Sequence, residues 1–390
     1  MTKTTDRPVL LDVSRSIWRA WSGRHPTGID RVCLSYVRHY RTQAQAVVQY
    51  KGFRRILSSP ASSALFDVLL DDRPDFRKRV ASWSVYHLPG ILPRRMGNMR
   101  PYLNVGHTGL DDPGFRRWLD WCGVSPIYMV HDLIPISHPE YARQGEAEKH
   151  VQRIKTVLET ATGIIGNSTT TLNKLTDWGS SRQLPSPPQR AIWLGTTVLK
   201  AKSQSPAGDP YFVVLGTIEG RKNHLLLLNL WLNWIESGRM PVARLYIVGQ
   251  RGWSAEKALA MLDQCDALRS YVVELNHCSD AALADLIGNA RALVFPSLAE
   301  GYGMPLAEAM MACVPVIASD LPVFREIAGE LPTYCDPLDS KSWEEAILSF
   351  TPRHSEPRAR QCAALTHYKG PTWADHFQQV DGWLEELDLI

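Results

Sequence analysis

The sequence lacks most of the features that would place it outside an ordinary folded interior. No apolar run approaches the ~20 residues that a membrane-spanning helix needs. The longest candidate, Leu225 to Leu232, is broken by Asn229 and reads as one face of an amphipathic helix. The seven cysteines are scattered, odd in number and without a Cys-x-x-Cys or Cys/His spacing. They are expected to be reduced thiols, neither disulfides nor a zinc site. The formal net charge of +3 is too small to imply a nucleic acid partner, and none is expected. The first residues, Met1 to Arg7, are polar and charged, so no signal peptide and a cytoplasmic location are expected. No Gly-x-Gly-x-x-Gly follows the first strand, which disfavours a dinucleotide-dependent dehydrogenase. No short internal repeat is visible.

What is present is a chain of 390 residues, enough for two domains of ordinary size, organised around residues 292–320. Ala292 to Phe295 reads as a buried parallel strand stopped by Pro296 and Ser297. Gly301 and Gly303 flank Tyr302 in a tight turn, a helix is expected from about Pro305 to Ala312, and Val314 to Ala318 is a second strand. A helix N-terminus with unpaired amides receives phosphate well. Amides around Gly303, Met304 and Pro305–Leu306, where proline itself has no N–H, are the expected contacts. Glu300 and Glu308 frame the turn. A carboxylate beside a diphosphate makes sense where it accepts hydrogen bonds from hydroxyls, as from a ribose or a sugar. The blander alternative makes Glu300 a cap and Glu308 a solvated helix residue.

Elsewhere, strands alternate with helices. Val9 to Val13, Tyr102 to Val105, Ile127 to Val130, Gly163 to Gly166 and Ala191 to Gly195 read as strands of a first half; Tyr211 to Leu215, Leu245 to Val248 and Tyr271 to Leu275 open a second. Such alternation predicts two doubly wound α/β domains facing a cleft. The expected boundaries are a first domain over 1–196, a Lys/Ser/Pro/Gly-rich linker over 197–210, a second domain over 211–370 and a terminal helix over 371–390. Gly23 and Gly28 lie in a loop that Thr27 closes as a helix cap, an arrangement suited to an anion or sugar. His131 follows a strand at its carboxyl end, where open α/β sheets bind ligands, and Asp132 is placed to orient its ring. Arg221 and Lys222 lie in a strand-to-helix turn and suit a diphosphate. Asn276 and Cys278 end another strand. Asp71-Asp72 and Asp111-Asp112 are poor metal motifs. Residues 51–100 carry ten basic against four acidic residues. That excess fits an anionic bilayer or lipid-diphosphate acceptor as well as it fits a solvated face with local ion pairs.

The phrase Pro-Ser-x-x-Glu-Gly-x-Gly-x-Pro-x-x-Glu-Ala-Met-x-x-Cys-x-Pro-Val-Ile resembles the signature of retaining glycosyltransferases of family 4, which have the GT-B fold. Val-His-Asp-Leu-Ile-Pro and Gly-Thr-Ile-Glu-x-Arg-Lys-Asn resemble further motifs of that family. The resemblance is strong in the second half and patchy in the first. It implies a terminal helix, starting near Trp373, that crosses back to the first domain. It also implies a metal-independent hexosyltransferase without a cofactor, using a nucleoside-diphosphate sugar. GDP-mannose is the favoured donor, with a dTDP- or UDP-sugar as the alternative. The acceptor would be a growing, perhaps lipid-linked, surface glycan at the inner face of the cytoplasmic membrane.

In that family Glu308 would bind the ribose and Glu300 the donor sugar. Gly28, Gly301, Tyr302, Gly303, Met304, Pro305 and Leu306 would line the donor. Arg221 and Lys222 would stabilise the leaving diphosphate, His131 would reach the sugar, and Asn276 and Cys278 would flank the base. The family's usual arginine corresponds to Thr217 here. A phosphorylase or epimerase on the same fold, and a non-catalytic nucleotide-sugar-binding scaffold subunit, are the rival readings.

Overall fold

The computed structural model describes residues 7–23, 27–71, 75–87, 97–197, 209–239, 243–276 and 278–390. Its contacts divide the chain into two compact units. One holds residues up to His131, Glu148–Leu194 and Trp373–Ile390; the other holds Asp132–Ala147 and Gly195–Thr372.

The first unit is built on seven strands: β1 Val9–Asp12, β2 Ala44–Tyr50, β3 Phe53–Ile56, β4 Pro101–Asn104, β5 Ser125–Val130, β6 Gly163–Gly166 and β7 Gln189–Ala191. They lie in the order β3-β2-β1-β4-β5-β6-β7. All neighbours are parallel except β3, which turns back along β2 as an antiparallel edge. β1, β4, β5 and β6 are buried along their whole length, as parallel strands covered on both faces must be.

The second unit has six strands: β8 Tyr211–Leu215, β9 Arg244–Val248, β10 Val272–Leu275, β11 Ala292–Phe295, β12 Val316–Ser319 and β13 Thr333–Cys335. They are all parallel, in the order β10-β9-β8-β11-β12-β13. Its core packs Phe212, Leu245 and Ile247 against Trp231, Trp343 and Phe350, all essentially without solvent exposure. The two indoles keep their N–H groups bonded, to the carbonyls of Ala243 at 2.7 Å and Asp336 at 2.9 Å, so their burial leaves no donor unpaired.

In both sheets the chain winds outward to one edge, then returns to the middle and winds to the other. The reversals fall between β1 and β4 and between β8 and β11. At such a switch point the loops leaving two adjacent strands part, and ligands bind outside the carboxyl ends.

Besides the last strand of the first half, expected over Ala191 to Gly195 and found as Gln189–Ala191, the structure departs from expectation in four places. First, β1 is followed by a helix, Ser14–Ser22, before the glycine loop. Second, β2 and β3 carry no clean alternation and were not expected. Third, Val314 is not yet strand. Cys313 takes a left-handed backbone conformation after helix Met304–Met311, and the Val314 amide still bonds the Ala309 carbonyl, so β12 starts at Val316. Fourth, residues 132–147 belong with the second unit despite their place in the chain. The Trp253 indole donates to the Tyr141 carbonyl at 2.7 Å, and the Arg143 guanidinium lies 4.4 Å over the Trp253 ring. Most of the expected linker, 198–208, lies outside the described residues.

The terminal helix Trp373–Glu386 packs within the first unit. Tyr36 meets Phe377 edge-on at 5.0 Å and shares a 3.0 Å hydrogen bond with His376, while the Tyr40 hydroxyl donates to Asp381. No helix among the described residues is long and apolar enough to cross a membrane.

Candidate active site

The second sheet's switch point gathers the charged residues that the sequence spread over eighty positions. After β8, residues Gly220–Lys222 form a single 3-10 turn. After β11, Ser297 and Glu300 come back toward it, and the Leu298 amide donates to the Arg221 carbonyl at 2.7 Å. Glu300 accepts from Lys222 Nζ at 2.5 Å, Arg221 Nη1 at 2.8 Å and Ser297 Oγ at 2.8 Å. Arg221 also reaches Glu219 at 2.6 Å and the Ala299 carbonyl at 3.0 Å. The Lys222 ammonium lies 4.6 Å over the Phe295 ring.

This is a buried cluster of two cations and two carboxylates, and its titration reflects both burial and pairing. Burial works against an ionised Glu300, but Arg221 and Lys222 beside it prevail and hold its carboxyl down at about 2. Burial pulls Lys222 below the usual lysine range against the opposing pull of Glu300. Glu219 is pushed up by burial, which its neighbouring cations only partly offset. Arg221 is held firmly protonated: burial opposes this, but Glu300 and Glu219 outweigh it. Glu300 therefore does not act as a helix cap; it is the counter-ion of the basic pair.

Helix Met304–Met311 starts beside this cluster. Gly303 precedes it with φ +102°, and a Cβ there would come within 2.6 Å of the Phe324 ring, so only glycine fits. The Leu306 amide closes on the Gly303 carbonyl at 3.0 Å. Leu306 is thereby removed from the expected phosphate donors, which leaves Gly303 and Met304 at the helix opening. Pro305 occupies the second helical position, where its missing N–H costs nothing. Glu308 is buried on this helix, only 2% exposed, so it is not a solvated-face residue. Tyr302 is buried and Gly301 half-buried in the turn. Asn276 is exposed and Cys278 half-buried after β10, the edge strand. They sit two strands from the charged cluster and share none of its bonds. Thr217 packs its methyl group toward Gly252, and Arg221 is the guanidinium at this turn.

In the first unit, His131 leaves β5 buried, with Nε2 2.7 Å from the Val105 carbonyl, and its own carbonyl accepts from Asn167 at 2.8 Å. The Val105 carbonyl thus orients the ring. Asp132 accepts from the Ile134 amide at 3.0 Å, at the start of the short helix Ile134–Ser137. His107, which the sequence reading did not single out, lies 5.4 Å from His131 ring to ring. Burial, with His131 and His150 nearby, holds it well below the usual histidine range.

Gly28 opens helix Gly28–Tyr40 behind a capping box in which the Asp30 carboxylate accepts from the Thr27 amide at 2.7 Å. The first turn of that helix is therefore served by an internal carboxylate, itself paired to Arg15 at 2.7 Å. An anion is not needed there. Glu219 is the other charged residue that sequence reasoning passed over. Its signal lay in the Gly-Thr-Ile-Glu-x-Arg-Lys-Asn phrase, between the strand and the basic pair. The arginine-rich segment is not one basic face. Arg54 and Arg100 are buried in hydrogen-bond networks, Arg79 pairs with Asp71, and Arg73, Arg94 and Arg95 lie outside the described residues.

Comparison with known proteins agrees with this geometry. Residues 196–363 match the family described as Glycosyl transferases group 1. The serotype-specific mannosyltransferase WbdA of Escherichia coli is 29% identical over 264 residues, which is 63% of this chain and 32% of WbdA. The O-antigen chain mannosyltransferase RfbU of Salmonella typhimurium is 30% identical over 185 residues, 47% of this chain and 49% of RfbU. The chain thus spans about a third to a half of the length of these relatives. Among solved structures, Anabaena Alr3699/HepE in complex with UDP and glucose aligns with a TM-score of 0.67 at 14% identity, over 97% of this chain and 99% of that one. Residues 196–363 thus resemble the group 1 glycosyl transferases, and the fold of the chain is GT-B.

Proposed function

We propose that the chain is a metal-independent, retaining hexosyltransferase that adds mannose from GDP-mannose to a growing surface glycan. The observation that carries this reading is the pair of half-buried Arg221 and buried Lys222 at the second switch point, beside the opening of helix Met304–Met311. Two cations and a helix N-terminus supply the charge that a diphosphate needs. They also stabilise the charge that grows on it as the glycosyl bond breaks, which is the part a metal ion would otherwise play.

In this mechanism the acceptor hydroxyl attacks the anomeric carbon on the face from which the diphosphate departs. The carbon–oxygen bond to phosphate breaks, the new glycosidic bond forms, and the departing phosphate oxygen takes the hydroxyl proton. No enzymic nucleophile is required. As the diphosphate binds, Arg221 and Lys222 turn part of their hydrogen bonding from Glu300 to phosphate, which releases Glu300 to accept from sugar hydroxyls. Glu308 accepts from the ribose, and His131 is assigned to the donor sugar. The mannosyl donor is supported by the names of the relatives. A UDP-sugar is the second reading, favoured by the UDP bound in a protein of the same fold.

The test is a thermal-shift panel of GDP-mannose, UDP-glucose, UDP-GlcNAc and dTDP-rhamnose, since a ligand of the native state raises the melting temperature by mass action. It is followed by proton NMR of the product formed from the stabilising donor. Selective stabilisation by GDP-mannose and an α-anomeric product are expected. A β-anomeric product contradicts retention. Stabilisation by a UDP-sugar alone replaces the donor, and no stabilisation by any donor favours the scaffold reading.

A further inference from the structure

We propose that the first unit carries a sugar-binding subsite in the recess at the carboxyl end of β2, which holds one neutral ring of the glycan acceptor. The inference rests on the glycan-acceptor reading above and adds a place for a part of that acceptor which does not react.

β2 ends at Tyr50, and the chain reverses through Lys51 and Gly52, both with positive φ, into β3. Trp18, on helix Ser14–Ser22, lies against Tyr50 with ring centroids 4.4 Å apart. Both rings stay open to solvent, at 40% and 50% exposure. Aromatic surface left in water forgoes roughly 25 cal/mol per Å², and the parts of the two rings that do not cover each other remain apolar surface for a ligand. Beside them is a recess of about 140 Å³ whose lining includes Trp18, Gln49, Tyr50, Gly52, Arg54 and Asp112. That is well under the roughly 300–1,000 Å³ of a whole small-molecule pocket, and suits a single ring better than a nucleotide.

The opposite wall is polar and rigid. Arg54 is buried, donates from Nε to Gln49 Oε1 at 2.9 Å and pairs with Asp112 Oδ2 at 3.1 Å. The Gly114 amide donates to Asp112 Oδ1 at 2.7 Å. Burial alone would raise the Asp112 carboxyl, but the Gly114 amide and Arg54 keep it below the usual range. Asp112 is only partly exposed, and each of its oxygens keeps a further lone pair for a hydroxyl. An aromatic face for the C–H side of a ring, opposed by a fixed carboxylate for its hydroxyl edge, is the chemistry of a neutral sugar. A lipid phosphate fits less well, because the carboxylate repels it, Arg54 is already paired, and Lys51, the other cation of the lining, lies 5.3 Å over the Tyr50 ring.

The experiment is titration of α-linked mannotetraose into the full chain by saturation-transfer NMR and calorimetry, with no donor present. It compares wild type with Trp18→Ala, Trp18→Phe and Asp112→Asn. Phosphatidylglycerol vesicles and GDP are titrated in parallel. Expected are at least fivefold weaker tetrasaccharide binding by Trp18→Ala and Asp112→Asn, near-wild-type binding by Trp18→Phe, and unchanged GDP binding in all three. Equal tetrasaccharide affinity across the set, or none in wild type, overturns the subsite. Loss of vesicle binding in place of tetrasaccharide binding also overturns it and makes the face a lipid contact. Failure of the transferase reading shows separately, as absence of nucleotide binding by wild type.

Discussion

The two switch points share a topology and differ in what furnishes them. Between β8 and β11 the loops bring Glu219, Arg221, Lys222 and Glu300 into one buried ionic cluster. Near the carboxyl ends of β1 and β4, beside the Asp30–Arg15 pair, burial disfavours the charged form of other groups. Asp12, fully buried, accepts from Gln49, Tyr102 and the Ser14 amide, and its carboxyl is nonetheless pushed up by desolvation. His107 is likewise held toward its neutral form. The second unit's switch point holds paired charge; at the first unit's, burial works against the charged forms of Asp12 and His107. The same open-sheet geometry thus presents paired charge in one unit and buried, hydrogen-bonded groups disfavoured as ions in the other, according to which residues follow the strands.

The largest effect that sharpens this contrast is expected from Lys222→Ala. Removing a cation that faces developing negative charge costs about 10²–10³ in turnover, with a smaller change in donor KM. Steady-state kinetics showing equal losses in both would assign Lys222 to uniform binding. Next in size, Glu308→Gln should weaken nucleotide binding by roughly tenfold or more, the scale of a lost hydrogen bond to a charged group. Calorimetry showing wild-type affinity would remove the ribose role. Glu219→Gln should lower turnover by about tenfold at nearly constant KM, because Arg221 keeps its place but loses one of its two carboxylates, each such charged contact being worth ~1.5–3 kcal/mol. An unchanged rate would show that Glu300 alone holds the guanidinium.

Two smaller effects separate the two switch points by pH. The folded-state carboxyl of Glu300 lies at about 2, below its ordinary 4.5. Its contribution to stability is therefore present above pH 4.5 and lost as the pH falls toward 2. Melting curves of wild type and Glu300→Gln should differ at pH 7 and converge through that window. Asp12 has the opposite sign, since its folded-state carboxyl is raised above the ordinary 3.8. It favours the fold below pH 3.8 and loses that contribution as the pH rises through its folded value. Asp12→Asn should melt within a few degrees of wild type and gain relative to it as the pH rises. A gain on acidification would reverse the assignment.

Sequence reached the second unit more fully than the first, for physical reasons. β8, β11 and the turn between Glu300 and Met304 are continuous in the chain, so apolar runs and glycines reveal them directly. The bonds of Arg221 and Lys222 to Glu300 span some eighty residues, and no local pattern announces that a carboxylate expected to meet sugar hydroxyls is also a counter-ion. In the first unit, Ser14–Ser22 carries three serines and two arginines, a composition that reads as loop, yet the helix buries two of those serines, Ser14 and Ser16. β2 contains Gln45 and Gln49, buried because Arg100 and Asp12 bond them. A strand with polar residues satisfied across the fold shows no alternation. The exposed rings of Trp18 and Tyr50 lie on a helix and a strand thirty-two residues apart, and only the fold makes them neighbours.

The account turns on the diphosphate being held at the second switch point by paired side-chain cations. The most direct measurement is calorimetric titration of GDP, UDP and their uncharged nucleosides into wild type and Arg221→Ala. The prediction is that the nucleoside diphosphate of the working donor binds wild type at least tenfold more tightly than it binds the variant, while the bare nucleoside binds both alike. Equal affinity of the diphosphate for the two proteins would contradict the account.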